Sequence, residues 1–308
     1  MTARSVSVVI PVFNSGQVLP GLVARLEPVS SREAARFELI LVNDGSRDRS
    51  WETICRLSAA YSWIRGIDLM RNYGQHNALL CGVRAATGEL IVTMDDDLQH
   101  RPEDIPALLA ALSDDLDVVY GTPAREQHGA ARNAASRITK IALQSAMGAD
   151  TARLVSAFRV FRASLRDSFA ESRNPGLPLD VMLTWGTTRF GACVVQSEPR
   201  RTGQSGYTFR RLVLHALNMV TGYSVLPLRL ASVLALLFMV FGFAVLVFVI
   251  GRTLIQGVAV PGFAMISSLI AILSGVQLFS LGILGEYLAR MHVRMMDSPP
   301  YAIRSTVP

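Results

Sequence analysis

The sequence predicts an α/β protein, in which an open, doubly wound sheet is followed by a helical part embedded in a membrane. The sheet is predicted because short β-branched runs alternate with stretches of helical apolar spacing, and several of these runs end on polar residues. The membrane part is predicted because 230–251 and 253–285 contain no charged residue. The 308 residues can form one large domain with a smaller appendage.

Strands and helices alternate along the first half of the chain. Residues 5–13 and 37–42 are apolar, β-branched runs typical of buried parallel strands, and a helical stretch at 18–26 separates them. The region after Asp48 repeats the helical spacing. Further strands and helices follow in the order 67–70, 77–86, 89–94, 102–112 and 118–121, with later strands at 158–161 and 190–196.

Three of the predicted strands end at or next to polar residues, in the segments 11–14, 43–44 and 95–97. In a doubly wound sheet ligands bind beyond the carboxyl ends of the strands, so these residues are expected to surround one crevice. The triplet 95–97 consists of three adjacent aspartates, which repel one another unless a cation is present. Mg²⁺ or Mn²⁺ would remove this repulsion and neutralise a diphosphate leaving group. A solvated acidic turn is the alternative.

Asp44 supplies a second acidic side chain, at the end of a neighbouring predicted strand. Its carboxylate is suited to accept a hydrogen bond from the edge of a nucleotide base. An Asx turn stabilised by its own backbone explains the same segment equally well.

Each uncharged stretch exceeds the roughly 20 apolar residues that span a bilayer, and two buried core helices are the alternative. Most nearby cations flank the two stretches: Arg210, Arg211, Arg229, Arg290, His292 and Arg294. Because only Arg252 lies between them, the positive-inside rule places both ends and the large domain in the cytoplasm. Residues 208–223 have the spacing of an interfacial helix. No signal peptide is expected, because the apolar run 6–13 is short and contains Pro11.

Charge and cysteine content narrow the classes of partner. The formal net charge is +6, and the arginines concentrate beside the membrane stretches. We therefore expect anionic lipid headgroups, and no nucleic acid, as partners. Cys55, Cys81 and Cys193 are far apart and lack CxxC spacing, which predicts neither a disulfide framework nor a zinc site.

Nine short segments carry a family resemblance that covers nearly the whole chain. Five of them resemble glycosyltransferase family 2 in order and spacing: VIPVFN (9–14), VNDGS (42–46), RNYG (71–74), TGEL (87–90) and DDDLQ (95–99). Four more resemble the polyprenyl-phosphate branch of that family: RTGQSGY (201–207), PLR (227–229), GVQL (275–278) and GILGEY (282–287). This branch includes bactoprenol glucosyltransferases, dolichol-phosphate-mannose synthases and undecaprenyl-phosphate aminoarabinose-type transferases.

The resemblance implies a GT-A fold followed by an interfacial helix and two transmembrane helices. With the hydropathy pattern, it divides the chain into a cytoplasmic catalytic domain (1–207), a juxtamembrane amphipathic helix (208–228), a two-helix transmembrane domain (229–289) and a cytoplasmic tail (290–308). It implies a metal-dependent, inverting enzyme of the cytoplasmic (inner) membrane, multi-pass, that uses Mg²⁺ or Mn²⁺. The enzyme would move a sugar from a nucleotide sugar, expected to be UDP-linked, to a polyprenyl phosphate for cell-envelope glycan or glycolipid modification. Similar proteins form tetramers, so a homo-oligomer is also implied.

The same resemblance assigns roles to individual residues. Asp95 and Asp97 would contact the metal and the diphosphate, and Gln99 would lie beside the sugar or phosphates, which makes these three the catalytic set. The nucleotide would be bound by Pro11, Val12, Asn14, Asp44, Arg71, Asn72 and Asp96. A structural ion pair is an equal alternative for Arg71.

Basic side chains would hold the two phosphate groups. Arg200 and Arg201 would clamp the donor diphosphate, because guanidinium groups match phosphate oxygens. Arg125, Arg132 and Ser136 would hold the acceptor phosphate by resemblance, and a solvated basic loop is the alternative.

The chain departs from the family pattern in two places. Asn43 stands where many relatives have the first of two acidic residues, so the base contact depends on Asp44 alone. Residues 156–157 lack the acidic residue that often precedes the Phe-Arg pair at 158–159 in glucosyl-transferring relatives. No general base is therefore identified, and Asp180 is expected to be a buried structural carboxylate.

Two other functions remain to be weighed against lipid glycosylation. A processive polysaccharide synthase joins a similar domain to membrane helices, but its Gln-x-x-Arg-Trp acceptor motif is missing from the sequence. A non-catalytic membrane scaffold is the other possibility, and the intact strand-end carboxylates argue against it. Nucleotide-sugar binding would separate the scaffold from both enzymes.

Overall fold

The structure is a computed structural model that describes residues 4–30, 36–123, 153–173, 176–196, 226–256, 262–296 and 298–308. The chain divides into two compact units. The first comprises Met1–Ala134, Ala146–Tyr207 and Asp297–Pro308, and the second comprises Ala135–Ser145 and Thr208–Met296. The interfacial helix predicted at 208–223 lies outside the described residues.

The first unit is an α/β domain, as the alternating pattern predicts. Its strands are β1 (Ser5–Val12), β2 (Arg36–Asn43), β3 (Ile64–Leu69), β4 (Leu90–Thr93), β5 (Val118–Pro123), β6 (Arg159–Arg162), β7 (Phe190–Val195) and β8 (Ile303–Val307). Its described α-helices are α1 (Leu19–Ser30), α2 (Ser50–Ala60), α3 (Gln75–Ala85), α4 (Ile105–Ala111) and α5 (Leu179–Gly186). Short 3₁₀ helices occupy Pro102–Asp104 and Ala163–Phe169.

The eight strands form one mixed sheet in the order β7-β5-β6-β4-β1-β2-β3-β8. β1 pairs in parallel with β2 and β4, β2 with β3, and β5 with β7. β6 runs antiparallel to both β4 and β5, and β8 runs antiparallel to β3. The four neighbouring strands β4, β1, β2 and β3 are therefore parallel, whereas β6 and β8 run opposite to the strands beside them.

β1 and β2 form the centre of the sheet because their side chains are buried on both faces. Val8, Val9 and Ile10 of β1 are fully buried, as are residues 39–42 of β2. Helix α3 approaches β1 closely at Gly82, where a Cβ atom would lie 2.4 Å from Cγ1 of Val9. Burial on both faces is the normal state of parallel strands covered by helices. The carboxyl ends of these strands are consequently held in fixed positions.

β8 is the element that the sequence patterns miss, since they predict only a tail at 290–308. It lies in the first unit, although the helices of the second unit precede it in the chain. Its first four residues are exposed, so no alternation of apolar and polar side chains marks it. The chain thus returns to the sheet of the first unit after the two long helices.

The second unit contains two long helices among the described residues, α6 (Leu226–Gln256) and α7 (Phe263–Met295). Within the described ranges, only Leu230–Arg252, a segment of 23 residues, is long and apolar enough to cross a membrane, and its most apolar 18-residue window has a mean hydropathy of 3.2. The apolar part of α7 is shorter, at Leu273–Ala289. One candidate span is therefore found, and a second span stays a prediction.

Glu38 of β2 joins three segments of the sheet. Its carboxylate accepts hydrogen bonds from the Ser7 hydroxyl (2.5 Å), from the Thr87 N–H (2.5 Å) and from Nη1 of Arg65 (3.2 Å). Burial raises the pKa of Glu38, but these hydrogen bonds outweigh burial and hold the pKa below its usual value. The ionised carboxylate therefore stabilises the folded chain.

We predict that Glu38→Gln lowers the free energy of unfolding by about 1–3 kcal/mol at pH 7, because an amide oxygen replaces a charged acceptor. Since the folded-state pKa is lowered, the stabilisation is present above the unfolded pKa and is lost as pH falls through the folded value. Thermal unfolding of both proteins between pH 7 and pH 4 should show the difference shrinking at the acidic end. Glu52→Gln, at an exposed ion pair with Arg49, is the control and should change little. A pH-independent difference would contradict the role assigned to the charge.

Candidate functional site

A pocket of ≈ 250 Å³ opens beyond the carboxyl ends of β1, β2 and β4. Its lining residues are Pro11, Val12, Phe13, Asp44, Asn72, Gly74, Gln75, Asp95, Asp96 and Asp97. The three polar strand ends predicted to meet therefore do so. Seven residues proposed from the sequence lie in this lining: Pro11, Val12, Asp44, Asn72, Asp95, Asp96 and Asp97.

The three adjacent aspartates are half-buried, and each contacts a different neighbour. Oδ1 of Asp95 accepts a hydrogen bond from Nε2 of Gln75 (2.6 Å), and Oδ2 of Asp96 accepts one from the Phe13 N–H (3.4 Å). Asp97 accepts two from Gln99, through its N–H (3.1 Å) and Nε2 (2.8 Å). These contacts are not those of a fully solvated acidic turn. Gln99 is held beside Asp97, and its role toward the sugar or phosphates stays a prediction.

The pKa of Asp96 reflects its burial and, to a smaller extent, the charges beside it. Burial raises the pKa of Asp96 to about 6, hydrogen bonds from Ser15 and Phe13 oppose the rise, and the charges of Asp95 and Asp97 add to it. No Lys or Arg occurs among the described residues that line the pocket. Four carboxylates thus share the pocket, and a bound divalent cation would relieve the repulsion among them.

The donor set fits a divalent cation only when the ligand completes the coordination. Within the part of the chain that the structure describes, no three His, Cys, Asp or Glu side chains form a ready-made metal cluster. Asp95 and Asp97 can supply carboxylate oxygens, the ligands that Mg²⁺ takes together with substrate phosphates and water. The pocket therefore suits a metal that arrives with, or is completed by, a phosphorylated ligand.

Asp44 is buried, with 3% of its surface exposed, and it organises the neighbouring loop. Its two oxygens accept hydrogen bonds from the N–H groups of Tyr73 (2.7 Å) and Gly74 (2.9 Å). Burial raises the pKa of Asp44, and the two N–H groups counteract part of the rise. The Asx-type contact comes instead from Asn43, whose Oδ1 accepts the Ser46 N–H at 3.4 Å. Asp44 therefore lines the pocket and also shapes it.

The turn after β2 packs directly on the loop that follows β3. Gly45 has a φ of +63°, a left-handed conformation that favours glycine. A Cβ atom at Gly45 would lie 2.5 Å from the carbonyl carbon of Arg71 and 2.5 Å from the nitrogen of Asn72. Only glycine thus permits the contact between the two loops.

Two other predicted nucleotide-binding residues lie beside the pocket rather than in its described lining. Asn14 connects the ends of β1 and β2, since its N–H donates to Oγ of Ser46 (3.0 Å) and its Oδ1 accepts the Arg47 N–H (2.8 Å). The guanidinium of Arg71 lies 4.3 Å from the ring centre of Tyr73. This cation–π contact replaces the ion pair considered for Arg71. The predicted phosphate-binding residues Arg125, Arg132, Ser136, Arg200 and Arg201 all lie outside the described residues.

Three lining residues have no individual binding role in the sequence-based prediction: Phe13, Gly74 and Gln75, although Phe13 lies in the segment 11–14 that is expected at the crevice. Gln75 is the first residue of α3, and Phe13 is 47% exposed directly after β1. Phe13 lies within the VIPVFN segment and Gln75 directly follows the RNYG segment, so position near these segments is the signal that could have identified both residues.

A buried polar network lies next to the end of β4. Arg159 of β6 is 2% exposed, forms an ion pair with Asp180, and donates from Nε to Oγ1 of Thr93 (2.9 Å). The hydroxyl of Tyr120 also donates to Asp180 (3.0 Å). Asp180 is thus a buried structural carboxylate, as expected from the sequence.

Sequence comparison identifies a protein family and a similar protein. A family model described as glycosyl transferase family 2 matches residues 7–171. Over 307 residues the chain is 32% identical to the undecaprenyl-phosphate 4-deoxy-4-formamido-L-arabinose transferase of Salmonella choleraesuis, with 99% of this chain and 94% of that protein covered.

Solved structures share the fold. The chain is similar to glucosyl-3-phosphoglycerate synthase from Mycobacterium tuberculosis in complex with Mn²⁺, UDP and glucosyl-3-phosphoglycerate, with a TM-score of 0.52, 17% identity, and 71% of this chain and 78% of that chain covered. It is also similar to mannosyl-3-phosphoglycerate synthase from Rubrobacter xylanophilus, with a TM-score of 0.50, 14% identity, and 70% and 72% covered. The predicted GT-A-like α/β sheet is thereby confirmed.

We predict that Gly45→Ala lowers the free energy of unfolding by about 2 kcal/mol or more, because strain from the left-handed φ adds to a clash with residues 71–72. Gly176→Ala is the matched control, since Gly176 has a φ of +73° but a Cβ there meets nothing within 4 Å. Its cost should be about 1 kcal/mol. Thermal unfolding compares the two variants. Equal destabilisation of the two variants would show that the contact between the loops does not contribute to the free energy of unfolding.

Proposed function

The chain belongs to glycosyl transferase family 2, and on that premise we propose that it transfers a sugar from a nucleotide sugar to a polyprenyl phosphate at the cytoplasmic face of a membrane. The pocket carries the proposal, because it brings four carboxylates together beyond the ends of parallel strands, and such oxygen ligands suit a metal-bound diphosphate. The acceptor is proposed because the chain aligns with 94% of the length of a relative named undecaprenyl-phosphate 4-deoxy-4-formamido-L-arabinose transferase. Both substrates would then be anions that bind at the same edge of the sheet.

The nucleotide would lie against the ends of β1 and β2. Pro11 and Val12 offer an apolar wall, and Asp44 retains acceptor capacity for a base edge, since a carboxylate has about four lone-pair sites. Asn72 is exposed in the loop that Asp44 holds. UDP is favoured as the donor nucleotide, since the M. tuberculosis enzyme that shares the fold was solved with UDP and Mn²⁺.

Asp95 and Asp97 would hold Mg²⁺ or Mn²⁺ together with oxygens of the donor diphosphate. The bound ion would neutralise the charge that develops on the departing diphosphate. Gln99 is fixed by its two hydrogen bonds to Asp97 and would orient the sugar. Asp96, which accepts hydrogen bonds from Phe13 and Ser15, would add negative charge next to Asp95 and Asp97.

The transfer itself requires little acid–base chemistry. A lipid phosphate is already ionised, so one of its oxygens can attack the anomeric carbon without a strong general base. The new carbon–oxygen bond forms on the face opposite the breaking bond to the diphosphate, which leaves with the electron pair and inverts the anomeric configuration. Arg200 and Arg201 would assist the leaving group, and Arg125, Arg132 and Ser136 would hold the attacking phosphate.

The position of β8 supports two membrane crossings. β8 pairs with β3 in the same sheet as β1, so the segments before α6 and after α7 must lie on the same side of a membrane. If Leu230–Arg252 crosses the bilayer, the number of crossings is even. Helix α7, with 33 residues, is long enough for the return. We therefore propose a multi-pass protein with a cytoplasmic catalytic domain.

We predict that Asp97→Asn lowers sugar transfer by about 100-fold or more, because the metal and the diphosphate lose a charged ligand. The assay follows label from a panel of UDP-sugars into extractable lipid, with undecaprenyl phosphate as acceptor and with Mn²⁺, Mg²⁺ or EDTA present. Asp115→Asn, at an exposed aspartate that is not among the lining residues, is the control and should retain full activity. Transfer that survives EDTA, or that Asp97→Asn does not impair, would rule out the metal role.

We predict that both termini face the cytoplasm. Alkaline phosphatase fused after Gln256 should be active in the periplasm of a Gram-negative host, whereas the same enzyme fused after Pro308 should be inactive. Green fluorescent protein fused after Pro308 should fluoresce. Active phosphatase at Pro308 would mean an odd number of crossings and would contradict the pairing of β8 with β3.

A further inference from the structure

Arg304 of the edge strand β8 reaches the loop that forms one wall of the pocket. Its Nη2 donates to the carbonyl oxygen of Met70 (2.7 Å), and its Nη1 lies 3.6 Å from Oδ2 of Asp68. On the backbone, the Met70 N–H donates to the carbonyl of Ala302 (2.9 Å). Met70 is therefore held through both its N–H and its carbonyl by the last segment of the chain.

The pairing of β8 with β3 aims this side chain. Asp68 pairs with Ser305 and Leu69 pairs with Ile303, so the register skips Arg304. A residue left out of a strand ladder in this way forms a bulge, and bulges redirect side chains and are frequent beside active sites. The irregularity thus places the guanidinium over the end of β3 instead of in the regular alternation of β8.

Asp68 connects Arg304 to the turn that carries Asp44. The side chain of Asp68 is 4% exposed, and its Oδ1 accepts a hydrogen bond from Nδ2 of Asn43 (2.6 Å). A carboxylate at position 43 would face Asp68 at this distance and repel it, which explains why an amide occupies the position. Arg304, Asp68 and Asn43 form a continuous polar chain from β8 to the residue before Asp44.

Two routes therefore connect Arg304 to the pocket. One runs through Met70 into the loop that contributes Asn72, Gly74 and Gln75. The other runs through Asp68 to Asn43 and the adjoining turn. Asp44 joins the two routes, because it binds the N–H groups at 73 and 74.

We propose that Arg304 is a positioning residue for the nucleotide donor: the chain segment that follows the second long helix completes the donor pocket by fixing the loop at 70–75. This inference rests on the proposed function for its ligand, a nucleoside diphosphate. It assigns no chemical step to Arg304, which acts on the ligand through Met70 and Asp68. Donor affinity should therefore depend on Arg304 more strongly than the turnover of bound donor does.

The test uses the purified full-length chain with Mn²⁺, UDP binding by calorimetry, and transfer kinetics. Arg304→Gln should weaken UDP binding and raise the donor KM by about fivefold or more, while kcat changes less than about twofold. Arg304→Lys keeps the charge but not the two-pronged contact, so it should recover part of the affinity. Because Asp68→Asn interrupts the same chain, the double variant should bind UDP no more weakly than the weaker single variant.

Arg36→Gln is the matched control, since it removes an exposed arginine from the same sheet at the opposite end of β2. It should leave UDP affinity unchanged. Unchanged UDP binding in Arg304→Gln, or a fall in kcat and thermal stability with an unaltered donor KM, would overturn the inference.

A separate readout distinguishes failure of this inference from failure of the proposed function. If the unmodified chain binds no UDP, the proposed donor is wrong, and hydrogen exchange of the backbone then tests the positioning directly. Arg304→Gln should accelerate exchange at the Tyr73 and Gly74 amides, whereas Arg36→Gln should not. Equal exchange rates in all three proteins would overturn the positioning role regardless of the ligand.

Discussion

The parallel pairing of β1 with β2 and β4 is the constraint on which the site depends. The register aligns Val12 with Asn43 and Val9 with Thr93, so the segments that follow these strands leave the sheet at one edge. Aspartates separated by about 50 positions in the sequence consequently face one pocket. Burial of the strands on both faces keeps their ends in place. The packed core therefore prevents the strands from moving apart, a movement that would otherwise reduce the repulsion among the carboxylates.

Much of this arrangement can be predicted from the sequence, because the elements that carry it are buried and periodic. β1 and β2 appear as apolar runs, and the polar residues after them mark the pocket edge. What cannot be predicted depends on contacts between distant segments. β8 is short and exposed and pairs with a strand far away in the sequence, so no local pattern reveals it. The reversed direction of β6 is hidden for the same reason.

The departure from the family pattern at Asn43 has a local electrostatic explanation. Its partner Asp68 lies in β3 and is almost fully buried, so one side chain of the pair must be uncharged and able to donate. Asp44 can then remain the acidic group of this turn. Its carboxylate satisfies two backbone N–H groups of the opposite loop, which explains how one residue serves both as an architectural anchor and as part of the pocket wall.

The return of the chain to the sheet also bears on biosynthesis. Domains generally fold as their residues emerge from the ribosome, and β8 follows α6 and α7 in the chain. β8 can therefore join β3 only after α6 and α7 have both left the ribosome. A newly made catalytic domain would lack its last strand until the helices are available for membrane insertion. Assembly of the enzyme would in this way be timed by the order of synthesis.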